Sequence, residues 1–430
     1  MTYGRNHCEP QHIAAASAAL ASLTRLQDLE MDCGEGLGAA VLAAALPALT
    51  CLTRLSLEDW SSAACGRKHG VTKACLDWED HDWAGFRGLE LPGITSLTLD
   101  TENWGGTISH TIDVRLAANW FACGPVGLDT VFPSLESLDV ETRDVYRCGL
   151  DIDRGALPMF HNLRELAVPG FCCHTSPQPD AFLLLAPKLT ALQVSELPML
   201  DLAPLANHPT LEKLTLSGYQ EDTLDVEGVA AYDAVLRSLP RLRSVALEGR
   251  GWNLWPGQAN EPYECAAALL RSLTAWQARR LTELVYIVDQ PSCAALPLGY
   301  LLPRLAAELG PSLERLVLDP CRLPRAGGGD GGLAKGAHEG GLLCLPLFQR
   351  LQCMELHVKA EFEEGSRRLP IAKECIDALV APLVLCGCVG PCLRELVVKL
   401  PAGAVTSGVW AHCESVSAQC PGDVLRFELV

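Results

Sequence analysis

A skeleton of apolar positions, Φ-x-x-Φ-x-Φ, recurs along the chain with only the letters between the apolar ones drifting. FPSLESLDV (132–140), APKLTALQV (186–194), HPTLEKLTLSGY (208–219), LPRLRSVAL (239–247) and GPSLERLVL (310–318) are clear copies. Thirteen copies can be aligned, with middle positions Leu29, Leu55, Leu97, Leu138, Leu166, Leu192, Leu214, Val245, Leu284, Leu316, Met354, Leu396 and Phe427. The last two apolar positions of each copy are two apart, the period of a strand with one buried face; the first stands three earlier, where the chain turns into that strand. One short strand per repeat is therefore predicted.

Between the strands lie LGAAVLAAAL (37–46), PDAFLLLA (179–186), VEGVAAYDAVLRSL (226–239) and ECAAALLRSLTAWQARRL (264–281). They are rich in Ala and Leu, carry no internal proline, and read as helices. Pro133, Pro187, Pro209, Pro240, Pro311 and Pro391 each fall two residues before the first Leu of a repeat. A proline there ends the helix and biases its predecessor towards extended backbone.

A strand, a crossover helix and a parallel next strand wind right-handed, and a series of such units builds a solenoid. The predicted fold class is α/β, with a parallel sheet on the concave face and helices and loops on the convex face. A repeated unit also lets all 430 residues form one irregular array of about thirteen repeats, residues 1–430, rather than two or three unrelated domains. Residues 61–90 and 320–343 read as flexible insertions.

On these residues the chain resembles leucine-rich-repeat proteins over nearly all its length. The irregular steps of 22 to 42 residues resemble the long, helix-backed repeats of ribonuclease-inhibitor-like and F-box-adaptor arrays. Cys321 matches that family's polar ladder position, three residues after the last apolar one. The resemblance implies a non-enzymatic protein-binding scaffold and no catalytic residues. Within that class it implies either substrate recognition for a ubiquitin ligase or scaffolding in a cytoskeletal or ciliary assembly. No F-box-like segment precedes the first repeat, whose apolar pattern begins near Ile13. Phe427 and Leu429 form a last strand with no polar cap after it, which predicts cover by a partner or by further chain.

Composition narrows the setting. Apolar residues make up 49% and charged residues 20%, a globular balance. No apolar run is long enough to cross a membrane and the start lacks a secretory leader, so a cytoplasmic location, or alternatively a cytoskeletal or axonemal one, is expected. The twenty scattered cysteines then read as free thiols. The formal charge of −18 is uneven: residues 1–215 carry 27 acids against 14 bases, and 216–430 carry 25 against 20. That excess disfavours nucleic acid and anionic membrane as partners and suits a basic protein.

The strand positions between the apolar ones locate the excess. In the first four repeats they include Asp28, Glu30, Asp32, Glu58, Asp100, Asp139 and Glu141 beside the single base Arg54. In later repeats Glu165 and Glu248 mix with Lys213, Arg315, Lys399 and Arg426, and with apolar Val285, Ile287 and Val317. A solvated strand face and a docking surface for a basic segment both account for the acids. Like charges opposite one another on neighbouring strands are mutually unfavourable, which favours the second.

Two insertions add aromatic candidates. Trp78 and Trp83 stand among Asp77, Glu79, Asp80 and Asp82, and Trp252 and Trp255 lie on a Pro/Gly-rich stretch; aromatics of this kind either anchor a partner or pack a loop down. Metal and catalytic signals are thin. Cys386, Cys388 and Cys392 with His412 downstream define the alternative of a zinc-dependent module, although their spacing fits no standard zinc knuckle. RAGGGDGGLAKGAHEGG (325–341) lacks the Gly-Lys-Ser/Thr of a phosphate loop. No cofactor is expected.

Overall fold

The computed structural model describes residues 10–32, 41–42, 44–58, 93–101, 132–142, 150–151, 160–168, 171–172, 181–194, 202–217, 226–249, 262–276, 280–288, 296–322, 341–359, 370–387 and 389–430. The chain divides into two compact units, Met1–Leu211 and Glu212–Val430.

In the first unit the strands are β1 (Asp28–Asp32), β2 (Arg54–Glu58), β3 (Ser96–Thr101), β4 (Ser137–Thr142), β5 (Leu150–Asp151), β6 (Glu165–Val168), β7 (Phe171–Cys172) and β8 (Ala191–Val194). Six of them form a parallel sheet in the order β1-β2-β3-β4-β6-β8, while β5 and β7 make a separate short pair. The register joins Leu29, Leu55, Leu97, Leu138, Leu166 and Leu192 into one row. These are the middle positions of the first six repeats.

The second unit contains β9 (Lys213–Ser217), β10 (Ser244–Gly249), β11 (Glu283–Val288), β12 (Leu296–Pro297), β13 (Arg315–Arg322), β14 (Cys353–Val358), β15 (Glu395–Leu400) and β16 (Leu425–Leu429). Its sheet runs β9-β10-β11-β13-β14-β15-β16, all parallel, with β12 paired to the end of β13. Leu214, Val245, Leu284, Leu316, Met354 and Leu396 form the corresponding row of this unit. The last repeat departs from expectation: Leu396 pairs with Leu425, and Phe427 pairs with Val398. A shift of two residues keeps every side chain on its face. Burial then decides: Leu425 is 2% exposed, whereas the alternative frame would bury Leu429, which is 47% exposed.

Several repeats enter their strands through the same turn. The N–H of the first Leu bonds the carbonyl three residues back in Leu26 to Leu23, Leu52 to Leu49, Leu135 to Phe132, Leu189 to Ala186, Leu242 to Leu239 and Leu393 to Gly390. Pro133, Pro187, Pro240 and Pro391 occupy the second position of these turns, where a fixed φ near −65° is already the required one. Here the prolines shape the turn as well as stopping the helix. Immediately before each strand, one carbonyl accepts two N–H groups of the next repeat: Gln27 from Thr53 and Arg54, Thr53 from Thr95 and Ser96, Arg243 from Thr282 and Glu283. Thr53, Thr95, Thr190 and Thr282 add a hydroxyl donor to the same carbonyls. The sheet is thus extended one row beyond its strands.

The return segments lie where the Ala/Leu stretches fall. Helices span Ala181–Leu185, Val226–Ser238 and Pro262–Ala275. In 37–46 the described residues 41–42 and 44–45 are helical and lead into a 3-10 turn at Leu46–Ala48. Further helices span Pro10–Ala21, Leu298–Leu309, Lys373–Cys386 and Ser407–Ser417. Val245, Leu284, Leu316, Met354 and Leu396 are fully buried beneath returns of this kind, each contributing roughly 1.5–3 kcal/mol. Cys321 is also fully buried and its Sγ–H donates to the Leu318 carbonyl of the same repeat at 3.3 Å.

Candidate interaction surface

Alternation along each strand leaves a second set of rows on the outward face. In the first unit one row runs Asp28, Arg54, Ser96, Ser137, Glu165 and Ala191, and the next runs Glu30, Ser56, Thr98, Asp139, Ala167 and Gln193. Asp28 and Glu30 are exposed, and Asp139 is partly so. Arg54 Nε lies 3.7 Å from Asp28 Oδ1, with both side chains largely in solvent. In these two rows the acids alternate with neutral or basic neighbours.

The third row differs. Asp32 pairs with Glu58 and Asp100 pairs with Glu141; Glu58 and Asp100 each stand one residue past the Leu57–Leu99 pair. Four acidic residues therefore hold one register row at the C-terminal ends of four adjacent strands.

In the second unit the same column is compensated. Aligning the repeats places Asp319, His357 and Lys399 there on β13, β14 and β15; His357 pairs with Lys399, and the β13–β14 register shifts past Leu318. His357 Nδ1 is 3.1 Å from Asp319 Oδ2, its Nε2 is 2.6 Å from Glu355 Oε1, and Lys399 Nζ also bonds Glu355 Oε1. Burial alone would raise the Glu355 pKa, but the Lys399 and His357 hydrogen bonds and charges hold it below the usual carboxylate value. Nearer the strand starts, Ser244 Oγ–H donates to Glu283 Oε2 at 2.6 Å and Arg315 Nη1 to Glu283 Oε1 at 2.7 Å. Burial again opposes and the two donors prevail, so Glu283 is also held ionised below its ordinary value. On the last strand Arg426 Nη2 reaches Glu428 at 2.5 Å and Glu395 at 3.5 Å. Between these pairs sits an apolar cluster of Ala246, Val285 and Val317, with Ile287 packed against it.

Trp78, Trp83, Trp252 and Trp255 lie outside the described residues, as do the insertion 61–90 and most of 320–343. Of the zinc alternative's ligands, Cys388 lies outside them too, Cys392 is an exposed free thiol, and His412 Nε2 is bonded to Asp377 Oδ1 at 2.7 Å. No group of three or more ligating side chains with metal-site geometry occurs among the described residues.

The Asp319–His357–Glu355–Lys399 cluster was not singled out by the sequence reading. Its signal was present, because aligning the repeats places Asp319, His357 and Lys399 in one column with Asp32, Glu58, Asp100 and Glu141. His208 was missed as well: it is fully buried and its Nε2–H donates to the Ala186 carbonyl at 3.1 Å.

The chain's own ladder defines its class. One short parallel strand per repeat, Leu at most first and middle positions, a turn leading into many of the strands and helical returns constitute the leucine-rich-repeat fold. No family model matches the chain, and no curated protein matches it. Among solved structures it is similar to the leucine-rich-repeat protein LIC12759 of Leptospira interrogans, at 11% identity and a TM-score of 0.30 over 96% of this chain and 98% of that one. It is also similar to a chain of the mouse RP105/MD-1 complex, at 12% identity and a TM-score of 0.33 over 94% of this chain and 68% of that one. Among the described residues no helix is long and apolar enough to cross a membrane.

Proposed function

We propose that the chain is a non-enzymatic protein-binding scaffold and that the outward face of its first unit docks a basic segment of a protein partner. One observation carries this reading: Asp32 pairs with Glu58 and Asp100 with Glu141, and Glu58 and Asp100 each stand one residue past the Leu57–Leu99 pair of adjacent strands. A row of like charges works against the stability of its own sheet. Lys or Arg side chains from a partner would relieve that repulsion on binding and give the association a steep salt dependence. Asp28, Glu30 and Asp139 extend the acidic surface along the same strands. The strand lattice is fixed before binding, so little ordering entropy is lost on this side of the interface.

The test neutralises the row with Asp32→Asn, Glu58→Gln, Asp100→Asn and Glu141→Gln together. Binding to a panel of immobilised Lys/Arg-containing peptides is measured at low and at physiological salt. Wild type should bind a subset in a salt-sensitive way, and the variant should lose it while unfolding no more readily than wild type. Equal binding by both chains would refute the docking role, and a marked loss of stability in the variant would make the row a structural element instead.

A further inference from the structure

His357 stands at the end of β14 with both ring nitrogens facing carboxylates, Asp319 from β13 at 3.1 Å and Glu355 from its own strand at 2.6 Å. Lys399, its register partner on β15, bonds Glu355 from the other side. The four side chains are between 17% and 26% exposed, sheltered yet open to protons. Further charged groups nearby include Arg315, engaged by Glu283, Glu395, engaged by Arg426, and Lys359, whose backbone N–H donates to the Cys321 carbonyl. Cys321 and Cys353 are held as neutral thiols, Cys321 by complete burial and Cys353 by burial and the Glu395 charge.

A neutral imidazole has one N–H and one lone pair, and a carboxylate only accepts. Both contacts can be hydrogen bonds only when His357 carries two N–H groups and a positive charge. In that state Asp319 and Glu355 balance His357 and Lys399, and the cluster is neutral. Whichever nitrogen gives up its proton, a lone pair then faces a carboxylate oxygen at 3.1 or 2.6 Å, and the cluster carries one negative charge.

We propose that Asp319, His357, Glu355 and Lys399 form a proton-operated clasp on the outward face of the second unit. Protonated, it ties β13, β14 and β15 together through their side chains and presents no net charge. Deprotonated, it releases one carboxylate, which a cationic side chain of a docking protein can take up. The column that is acidic in the first unit thereby becomes acidic in the second only when the proton leaves. The purpose of the clasp rests on the protein-binding reading; its chemistry does not.

Burial would lower the His357 pKa, but the hydrogen bonds it donates to Asp319 and Glu355 and the Asp319 charge outweigh it, so the group titrates above the ordinary 6.5. A raised folded value stabilises the fold fully below pH 6.5, and that contribution is lost as pH rises through the folded midpoint.

The clasp is tested on the full chain without any partner, so its outcome is independent of the peptide panel. The imidazole C–H resonances are followed by NMR between about pH 5 and 9, and His357 is assigned by the signal missing from His357→Gln. The expected midpoint lies above 6.5; Asp319→Asn and Glu355→Gln should each weaken proton binding several-fold, and Lys399→Met should strengthen it. The amide protection factors of Glu355 and His357, with the base-catalysed intrinsic rate divided out, should fall above that midpoint in wild type and show no such step in His357→Gln. A midpoint at or below 6.5, a midpoint that neither carboxylate substitution moves, or protection factors that do not change across the midpoint would each overturn the proposal.

Discussion

Gly310 follows the helix Leu298–Leu309 at the point where the chain turns towards β13. Its N–H donates to the Ala306 carbonyl and its carbonyl accepts from Gln349, both at 2.9 Å. A Cβ added there would sit 2.2 Å from the Ala306 oxygen and 2.6 Å from the Leu347 oxygen, both inside the 3.0 Å that real Cβ atoms respect. Both obstacles are backbone, so no side chain can swing away; the helix end and the 3-10 segment Gly341–Leu347 must separate. Overpacking of this kind costs about 1–3 kcal/mol, against a gain of at most about 1 kcal/mol from a stiffer unfolded chain. Gly310→Ala should lose about 2 kcal/mol, roughly thirtyfold in the local opening equilibrium. Gly408, exposed in the first turn of Ser407–Ser417, has nothing within 4 Å of the same added atom, and Gly408→Ala should gain about 0.5–1 kcal/mol. Because a chain of two units need not unfold in one step, the assay is native-state amide exchange in β13 and β14. Unchanged exchange in Gly310→Ala, or a larger loss in Gly408→Ala, would refute the packing argument.

Other expectations follow from burial and titration. Leu284→Ala, at a fully buried position in the middle of the second unit's leucine row, should cost about 2–5 kcal/mol by the same exchange assay. Maleimide labelling followed by peptide mass spectrometry should modify exposed Cys51 and Cys392 quickly. It should spare Cys344 and Cys413, which are buried and whose thiols burial pushes up to about 12 and about 11. Burial lowers the His208 pKa below 6.5, although its bonds to the Ala186 and Phe182 carbonyls oppose this. The unfolded chain therefore binds this proton first, and stability present above pH 6.5 should fall as pH drops from there towards the depressed value. Denaturant titrations of wild type and His208→Leu should show the smaller acid slope in the variant.

The leucine rows were legible because a strand period of two with a fixed three-residue lead is a strong pattern, and the register joins six of the thirteen middle positions in the first unit and six in the second. The thirteenth failed because parity cannot distinguish Leu425 from Phe427; only the neighbouring strand can. The thread of Thr53, Thr95, Thr190 and Thr282 escaped notice because a hydroxyl bonding a carbonyl one repeat earlier has no local signature. The pair of β5 and β7 is two residues per strand, too short to show a period. At the candidate surface, the acids could be read as strand-face residues from the alternation. Their collection into one row needed the repeats aligned as columns. The same alignment would have exposed His357 beside Asp319 and Lys399, whereas Glu355 joins them only through side-chain reach. His208, in the His-Pro of the repeat before β9, looks like any polar turn residue until its burial is known.

The account's central claim is that the outward sheet face docks a protein through its acidic row. It is tested most directly by capture from an extract of the source cells, using wild type and the four-site Asp32, Glu58, Asp100 and Glu141 variant as matched baits. The account expects a partner carrying a Lys/Arg-rich segment to be held by wild type, released by moderate salt and absent from the variant, and that segment alone to compete for the interaction. Identical partners on both baits with the same salt dependence would contradict it.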